Sequence, residues 1–423
     1  MERVTGDVAV VGLGPAGVAA AVRAAEAGAR VVVLDDGHAP GGQIWRHREA
    51  GRAALPAQAQ RWIARLVALP AARCRILHRT TVVDAPAPGV LVGIAGEDAV
   101  RIEAAATILA TGARERFLPF PGWTLPGVLG VGGAQALVKS GAKVAGLRVV
   151  VAGSGPLLLP VAATWARAGA RVACVVEQAP RGRVARFAAA LLAHPGKIKE
   201  ALVYRAAFAG SPYRLGVWVT EVLPKGHALA VTLTDGRRSW EVPCDVLACG
   251  FGLLPNLELA RLLECRVEGG AVVVDPEQRT TVSGVFAAGE ACGVGGADLA
   301  LVEGEISALA AVGRSDAAAL MAPRRGHLRA FARRLDTAFA LRDELRSLAR
   351  PDTLVCRCED VALGRLRPEW TPRQAKLYTR AGMGPCQGRV CGAALETIFG
   401  WPPDTVRPPL YPVRLDALKE ADS

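Results

Sequence analysis

The stretch Asp7–Asp36, DVAVVGLGPAGVAAAVRAAEAGARVVVLDD, decides how the rest of the chain is read. An apolar, β-branched run (Val8–Val11) enters a turn holding Gly12, Gly14 and Gly17, with Pro15 and Ala16 between the last two. An alanine-rich helical segment follows, and a second β-branched run (Val31–Val33) leads to Asp35 and Asp36. Strand, glycine turn, helix, strand and terminal acid in that order make a βαβ unit with the dinucleotide fingerprint G-x-G-x-x-G. Gly12 permits the tight turn, Gly14 lets backbone approach a pyrophosphate, and Gly17 lets helix and strand pack closely. The helix start offers free N–H groups and about +0.5 of partial charge to phosphates. Asp35 and Asp36 are the candidates for ribose hydroxyls. A glycine turn that merely packs is the alternative.

Just beyond lies HAPGGQIWR, residues 38–46, where Gly42 allows close backbone approach and Gln43 and Arg46 offer donors. Residues 53–69 read as helix. Strand-like pieces follow at 75–83, with Val82 counted among the cofactor contacts, and at 89–102, with Pro86, Pro88 and Gly89 marking the turn between them. TILATG (107–112) reads as a buried strand whose exit, Thr111-Gly112, is a further contact. The segment RERFLPFPGWTLPGVLG (114–130), rich in proline and glycine, reads as a crossover between domains.

A second βαβ pattern runs from Arg148 to Glu177, RVVVAGSGPLLLPVAATWARAGARVACVVE. Gly153 and Gly155 repeat the first two glycines, Leu158 stands at the third position, and Glu177 ends the second strand. The unit is expected to fold; whether it holds a nucleotide stays open. An acid at Glu177 disfavours a 2′-phosphate, so NAD(H) rather than NADP(H) would be its ligand. Hairpin-like strands at 214–223 and 228–234 lead to DVLACGFGLLPN, a strand and glycine exit that parallels TILATG. The chain then returns through VFAAGEACGVGGADLALVEGEISALAAVG (285–313), where a short strand ends at Gly289-Glu290 before another alanine-rich helix.

Composition narrows the function. The 423 residues carry a formal charge of +12, are 51% hydrophobic and only 5% aromatic. No basic block is interleaved with aromatics, so nucleic acid is not an expected partner, whereas an acidic electron-transfer partner is. The first apolar run is itself a strand with no basic segment before it, and the longest uncharged run (149–166) is broken by Gly153, Gly155, Pro156 and Pro160. A cytoplasmic protein is expected, peripheral to the inner membrane at most through its electron acceptor. The six histidines (His38, His47, His78, His194, His227, His327) are scattered, and no catalytic residue is assigned.

Ten cysteines in such a chain argue for metal or redox use rather than disulfides. Six stand alone: Cys74, Cys174, Cys244, Cys249, Cys265 and Cys292 read as small buried hydrophobes. The remaining four cluster in LVCRCEDV and RAGMGPCQGRVC as Cys356-x-Cys358 and Cys386-x₄-Cys391. Four thiolates on short glycine-containing loops can enclose a [2Fe–2S] cluster. Zinc is the alternative, although C-x-C is a poor chelate spacing for it, and a shared core is the bland reading.

The motifs GLGPAG, ATG, CGFGLLPN and AAGE, in that order, resemble the two-dinucleotide-binding flavoprotein superfamily. VCRCEDV with RAGMGPCQGRVC resembles the bacterioferritin-associated-ferredoxin-like [2Fe–2S] module, although the segment between Cys358 and Cys386, holding Pro368 and Pro372, is shorter than usual for it. Together they resemble the A-type subunits of opine oxidases, D-hydroxyproline dehydrogenases and hydrogen cyanide synthase. The resemblance implies an α/β fold of two Rossmann-like domains of the glutathione-reductase type, the second inserted in the first. FAD would be held by residues 1–118 and 250–320 and the inserted domain would span 119–249; the stretch 321–350, arginine-rich with Leu328, Phe331, Leu335, Phe339, Leu345 and Leu348 near helical spacing, reads from its own residues as a linker helix, a membrane-surface helix being the alternative. The [2Fe–2S] domain would be 351–400 and a proline-rich tail 401–423. By resemblance Gly12, Gly14, Gly17 and Asp35 are nucleotide contacts, Glu290 takes the place of a commoner flavin-binding aspartate, and the four clustered cysteines are iron ligands. The implied function is an electron-transferring subunit whose companion, an FAD-dependent amine-oxidase-like subunit, oxidises a C–N bond of an amino or imino acid. FMN at a subunit interface and a small ferredoxin-like [2Fe–2S] subunit belong to the same expectation. A self-sufficient NADH-dependent reductase and an iron–sulfur scaffold are the alternatives.

Overall fold

The computed structural model describes residues 1–46, 55–402 and 405–419. By its contacts the chain forms two units, one of Met1–Arg114, Leu254–Ala332 and Val406–Ser423, the other of Glu115–Leu253 and Arg333–Thr405.

In the first unit the glycine motif does what its spacing predicts. Strands Cys74–His78, Val31–Asp35, Glu2–Val11 and Asp98–Leu109 lie parallel in that order, with Val8 opposite Val31 and Val10 opposite Ile108. The returning strand Val285–Ala287 pairs with the last residues of Asp98–Leu109. A hairpin, Thr80–Ala87 and Val90–Ala95, extends the sheet antiparallel from the start of that same strand. The sequence suggests separate strands at 89–102 and 107–112; the structure instead breaks at Gly96 (φ +68°) and runs unbroken from Asp98 to Leu109. Ala104–Ala106 have weak strand propensity, but pairing to Glu2–Val11 overrides it. The helix expected at 53–69 is Ala57–Val67; residues 53 and 54 lie outside the described residues.

Helices Pro15–Glu26 and Ala297–Ala311 meet over one face of this sheet. Their approach is set by Gly304, where a Cβ would stand 2.1 Å from the Ala16 carbonyl oxygen. Ala297–Ala311 is apolar on nearly every side, which suits a helix buried all round. The proline-rich tail is anchored at Leu410, which is buried and whose N–H donates to the Val83 carbonyl.

The second unit carries a parallel sheet in the order Tyr213–Leu215, Arg171–Glu177, Arg148–Gly153, Val246–Gly250, Val128–Gly130. A three-stranded antiparallel sheet, Trp218–Lys225, Ala228–Thr234 and Ser239–Cys244, stands beside it. The strand expected at 214–223 is thus divided at Gly216 (φ +72°) between the two sheets. The cysteine-bearing segment belongs to this unit. Leu354–Cys356 pairs with Val361–Ala362, and helices Pro372–Thr379 and Cys391–Phe399 close a small core around Val355, Cys356, Val361, Cys391, Leu395 and Trp401. Pro372 does not interrupt the helical arm: it occupies the first helical position, behind a capping box formed by Thr371 and Gln374. Among the described residues no helix is long and apolar enough to cross a membrane.

Candidate functional site

At the first glycine turn, Gly12 has φ +98°, and a Cβ on Gly17 would lie 1.8 Å from the Gly12 carbonyl oxygen. Only glycine lets the helix begin at Pro15. Gly14 caps that helix without any side-chain bond, and a Cβ there would meet no protein atom within 4 Å. The uncapped helix start therefore faces open space, the arrangement an anionic ligand needs. Asp35 closes the turn from behind: its carboxylate accepts the Leu13 N–H at 2.5 Å and the Gly37 N–H at 2.9 Å. Burial raises its pKa against the pull of those two donors. Asp36 is exposed.

Of the other residues the sequence singles out, Gly42 and Gly289 lie against this helix start. The Gly41 N–H donates to the Leu13 carbonyl, and a Cβ on Gly42 would come within 2.9 Å of the Gly14 Cα. Buried Trp45 seats the loop against Ala19, Ile63 and Leu301. Gln43 is exposed and accepts from Arg46 at 2.7 Å, while the Arg46 Nε is buried without a partner. Gly289 (φ +70°) abuts Ala16, where a Cβ would stand 2.8 Å from the Ala16 Cβ. Glu290 is half-buried, its carboxyl raised by burial and drawn down by the Gly296 N–H. Val82 is buried in the sheet core beside Leu34. Gly112 (φ +67°) opens onto space free of protein atoms. A glycine cradle, an uncapped helix and a buried unpartnered guanidinium nitrogen suit an adenine dinucleotide.

Two supports escape a sequence reading. Asn256 donates to the Thr111 carbonyl at 2.9 Å, and the Thr111 hydroxyl donates to the Asn256 carbonyl at 2.8 Å, locking the Thr-Gly exit. Glu303, 0% exposed, accepts the Gly289 N–H at 3.1 Å and pairs with Arg329 at 2.6 Å and Arg325 at 3.4 Å. Burial raises its carboxyl pKa while the two arginines draw it down. Both residues act on partners far away in sequence, so no local motif announces them.

At the second glycine turn Glu177 mirrors Asp35, accepting the Gly155 N–H at 2.7 Å and the Ala179 N–H at 2.8 Å. It is fully buried, and its pKa is pushed up to about 7. Gly153 (φ +139°) stands hard against Gly250, and Leu158 is buried in the core beneath.

The four clustered cysteines come together. The Cys391 thiol interacts with the sulfurs of Cys356 and Cys386, and Cys386 with that of Cys358. Those interactions with Cys391 hold Cys386 down at about 4 and Cys356 at about 6, while Cys391 itself is pushed far up. The Gly382 N–H donates to the Cys356 sulfur at 3.5 Å, and a Cβ on Gly384 would lie 2.3 Å from the Cys358 Cβ. Cys356 and Cys391 are buried; Cys358 is exposed. Among the described residues no three His, Cys, Asp or Glu are placed to ligate one ion. A two-iron cluster asks instead for two thiolates on each iron, so the linked sulfurs and glycine-lined loops suit it. The other six cysteines are buried, and burial raises every one of their thiols, Cys74 and Cys174 to about 11 and Cys244 to about 12. The second unit holds its own cysteine-bearing strand, since the Trp123 indole N–H donates to the Leu354 carbonyl at 2.6 Å and the Arg357 guanidinium lies 5.7 Å from the Trp123 ring centre.

The family model described as pyridine nucleotide-disulphide oxidoreductase matches residues 6–313. The A-type subunit of opine oxidase from Agrobacterium tumefaciens (strain Ach5) is 32% identical over 97% of this chain and 91% of its own length. The HcnB subunit of hydrogen cyanide synthase from Pseudomonas aeruginosa is 32% identical over 90% of each chain. Among solved structures, L-proline dehydrogenase from P. horikoshii superposes with a TM-score of 0.70 at 20% identity, over 99% of this chain and 80% of that one, a likeness of fold.

Proposed function

On the premise that the chain belongs to the pyridine nucleotide-disulphide oxidoreductase family and is similar throughout to A-type subunits of opine oxidase and hydrogen cyanide synthase, we propose that it is the electron-transferring subunit of a dehydrogenase acting on C–N bonds. The observation that carries this reading is the convergence of Cys356, Cys358, Cys386 and Cys391 in a chain that also presents an uncapped glycine turn. FAD takes electrons in pairs and passes them on singly, and a [2Fe–2S] cluster carries one at a time. Gly12, Gly14, Pro15, Ala16 and Gly17 would hold the FAD pyrophosphate on the helix start, with Asp35 and Asp36 toward the ribose. Gly42, Gln43, Arg46, Val82, Thr111, Gly112, Gly289 and Glu290 would frame the rest of the cofactor. The four cysteines would ligate the cluster as thiolates.

A companion FAD-dependent amine-oxidase-like subunit would bind and oxidise the amino or imino acid (an opine, D-hydroxyproline or glycine). FMN at their interface and a small ferredoxin-like subunit complete the proposed assembly.

Two measurements test the proposal. Visible spectra of the complex should bleach on adding an amino or imino acid substrate, and those of the lone chain should not; bleaching of the lone chain by NADH would overturn it. Cys386→Ser should abolish iron–sulfur absorbance and leave flavin absorbance intact. Unchanged iron content in that variant would remove the ligand assignment.

A further inference from the structure

In a dinucleotide fold the ligand lies outside the carboxyl ends of the strands, its pyrophosphate on the glycine turn and its ribose near the acid of the second strand. In the second unit that place is taken by the chain itself. Ser154, within the turn, donates from its hydroxyl to the Phe339 carbonyl at 2.8 Å. Gln178, next to Glu177 and fully buried, donates to the Ser154 hydroxyl at 2.9 Å and to the Ala340 carbonyl at 3.3 Å. Its side-chain oxygen accepts the Arg342 N–H at 3.2 Å. Arg183 donates to the Ala340 carbonyl at 3.2 Å, Phe339 sets its ring edge-on to Phe187 at 5.5 Å, and Arg342 stacks 3.8 Å from the Trp218 ring centre.

Of the turn's own donors, all but the Leu157 N–H are engaged as well. The Ser154 N–H goes to the Gly250 carbonyl, the Gly155 N–H to Glu177, and Pro156 has none to give. The Leu158 and Leu159 N–H groups close short turns onto the carbonyls of Gly155 and Pro156. Backbone carbonyls from one strap thus accept the bonds that phosphate and ribose oxygens accept in a nucleotide-bearing fold.

We infer that the inserted dinucleotide fold is occupied in cis: Phe339–Arg342 fills its nucleotide cleft, so the domain takes no nicotinamide dinucleotide and serves as the mount of the cysteine-bearing segment. Nicotinamide reductants are thereby excluded from this turn, whether or not the four thiols hold iron.

Hydrogen exchange on the full chain, with and without NADH or NADPH, tests it. The Arg342 amide, held by the Gln178 side-chain oxygen, should be protected in the wild type, and neither nucleotide should alter exchange at 153–158 or 339–342. Nucleotide binding at the first glycine turn would leave both segments untouched, so it does not mimic a failure. Faster exchange at 339–342 on adding NADH, or new protection at 153–158, would overturn the inference. In the double variant Ser154→Ala, Gln178→Ala, exchange at 339–342 should rise about tenfold or more, since several bonds to the strap are lost together. Unchanged exchange in that folded variant would equally overturn it.

Discussion

The two βαβ units begin alike, GLGPAGV at residues 12–18 and GSGPLLL at 153–159, and they end differently. In the first, Gly17 lets the helix start at Pro15 and leaves its end uncapped and open. In the second, Leu158 is a core residue, the helix starts only there, and the Ser154, Gly155, Leu158 and Leu159 N–H groups are spent internally. Each turn is pinned by a buried acid, Asp35 or Glu177, through two backbone N–H groups. The acid and the first two glycines therefore build the turn; at the third position glycine lets the helix start at Pro15, and leucine delays the second helix to its own place.

The most severe way to break this comparison is to place the second unit's residue in the first. Gly17→Leu forces a side chain where even a Cβ meets the Gly12 oxygen at 1.8 Å. It should abolish adenine-nucleotide and flavin retention and cost upwards of about 4 kcal/mol. Flavin absorbance and thermal unfolding read both effects; a variant that keeps its flavin near the wild-type melting temperature would dissolve the distinction. Leu158→Ala should cost about 2–5 kcal/mol as a core truncation while leaving flavin content unchanged, as denaturant midpoints and absorbance will show.

A pH titration sharpens the comparison further. The Glu177 carboxyl titrates near 7 in the folded state against an ordinary value near 4.5. Between those values the folded chain holds a proton that the unfolded chain has released, so stability falls as pH rises through that window. The loss is roughly 3 kcal/mol at most and is complete above the folded value. Glu177→Gln, which cannot ionise, should flatten that part of the pH profile of thermal unfolding. A slope identical to wild type would show that Glu177 does not titrate there. Smallest of all, Asp36→Ala at an exposed position should change stability by no more than about 0.5 kcal/mol, and calorimetry can resolve a larger loss.

Features set by short-range spacing were legible in the sequence: both glycine turns, the returning strand, and the grouping of Cys356, Cys358, Cys386 and Cys391. Strand limits were less so, because Ala104–Ala106 extend only through their neighbours and Gly216 divides what reads as one strand. Within the short segment between Cys358 and Cys386, Pro372 begins a helix that Thr371 and Gln374 cap. The strap was illegible for a plainer reason. Ser154 and Gln178 are unremarkable polar residues whose partners in 339–342 lie more than a hundred and fifty positions away. Glu303 likewise sits in an alanine-rich helix, and only folding reveals its two arginines.

The Trp123 indole that holds the Leu354 carbonyl has a consequence in time as well as in space. A ribosome releases residues 115–253 long before the strand that carries Cys356, and domains tend to fold as they emerge. Since both stretches belong to one unit, that unit closes only after the strand carrying the thiols has been made.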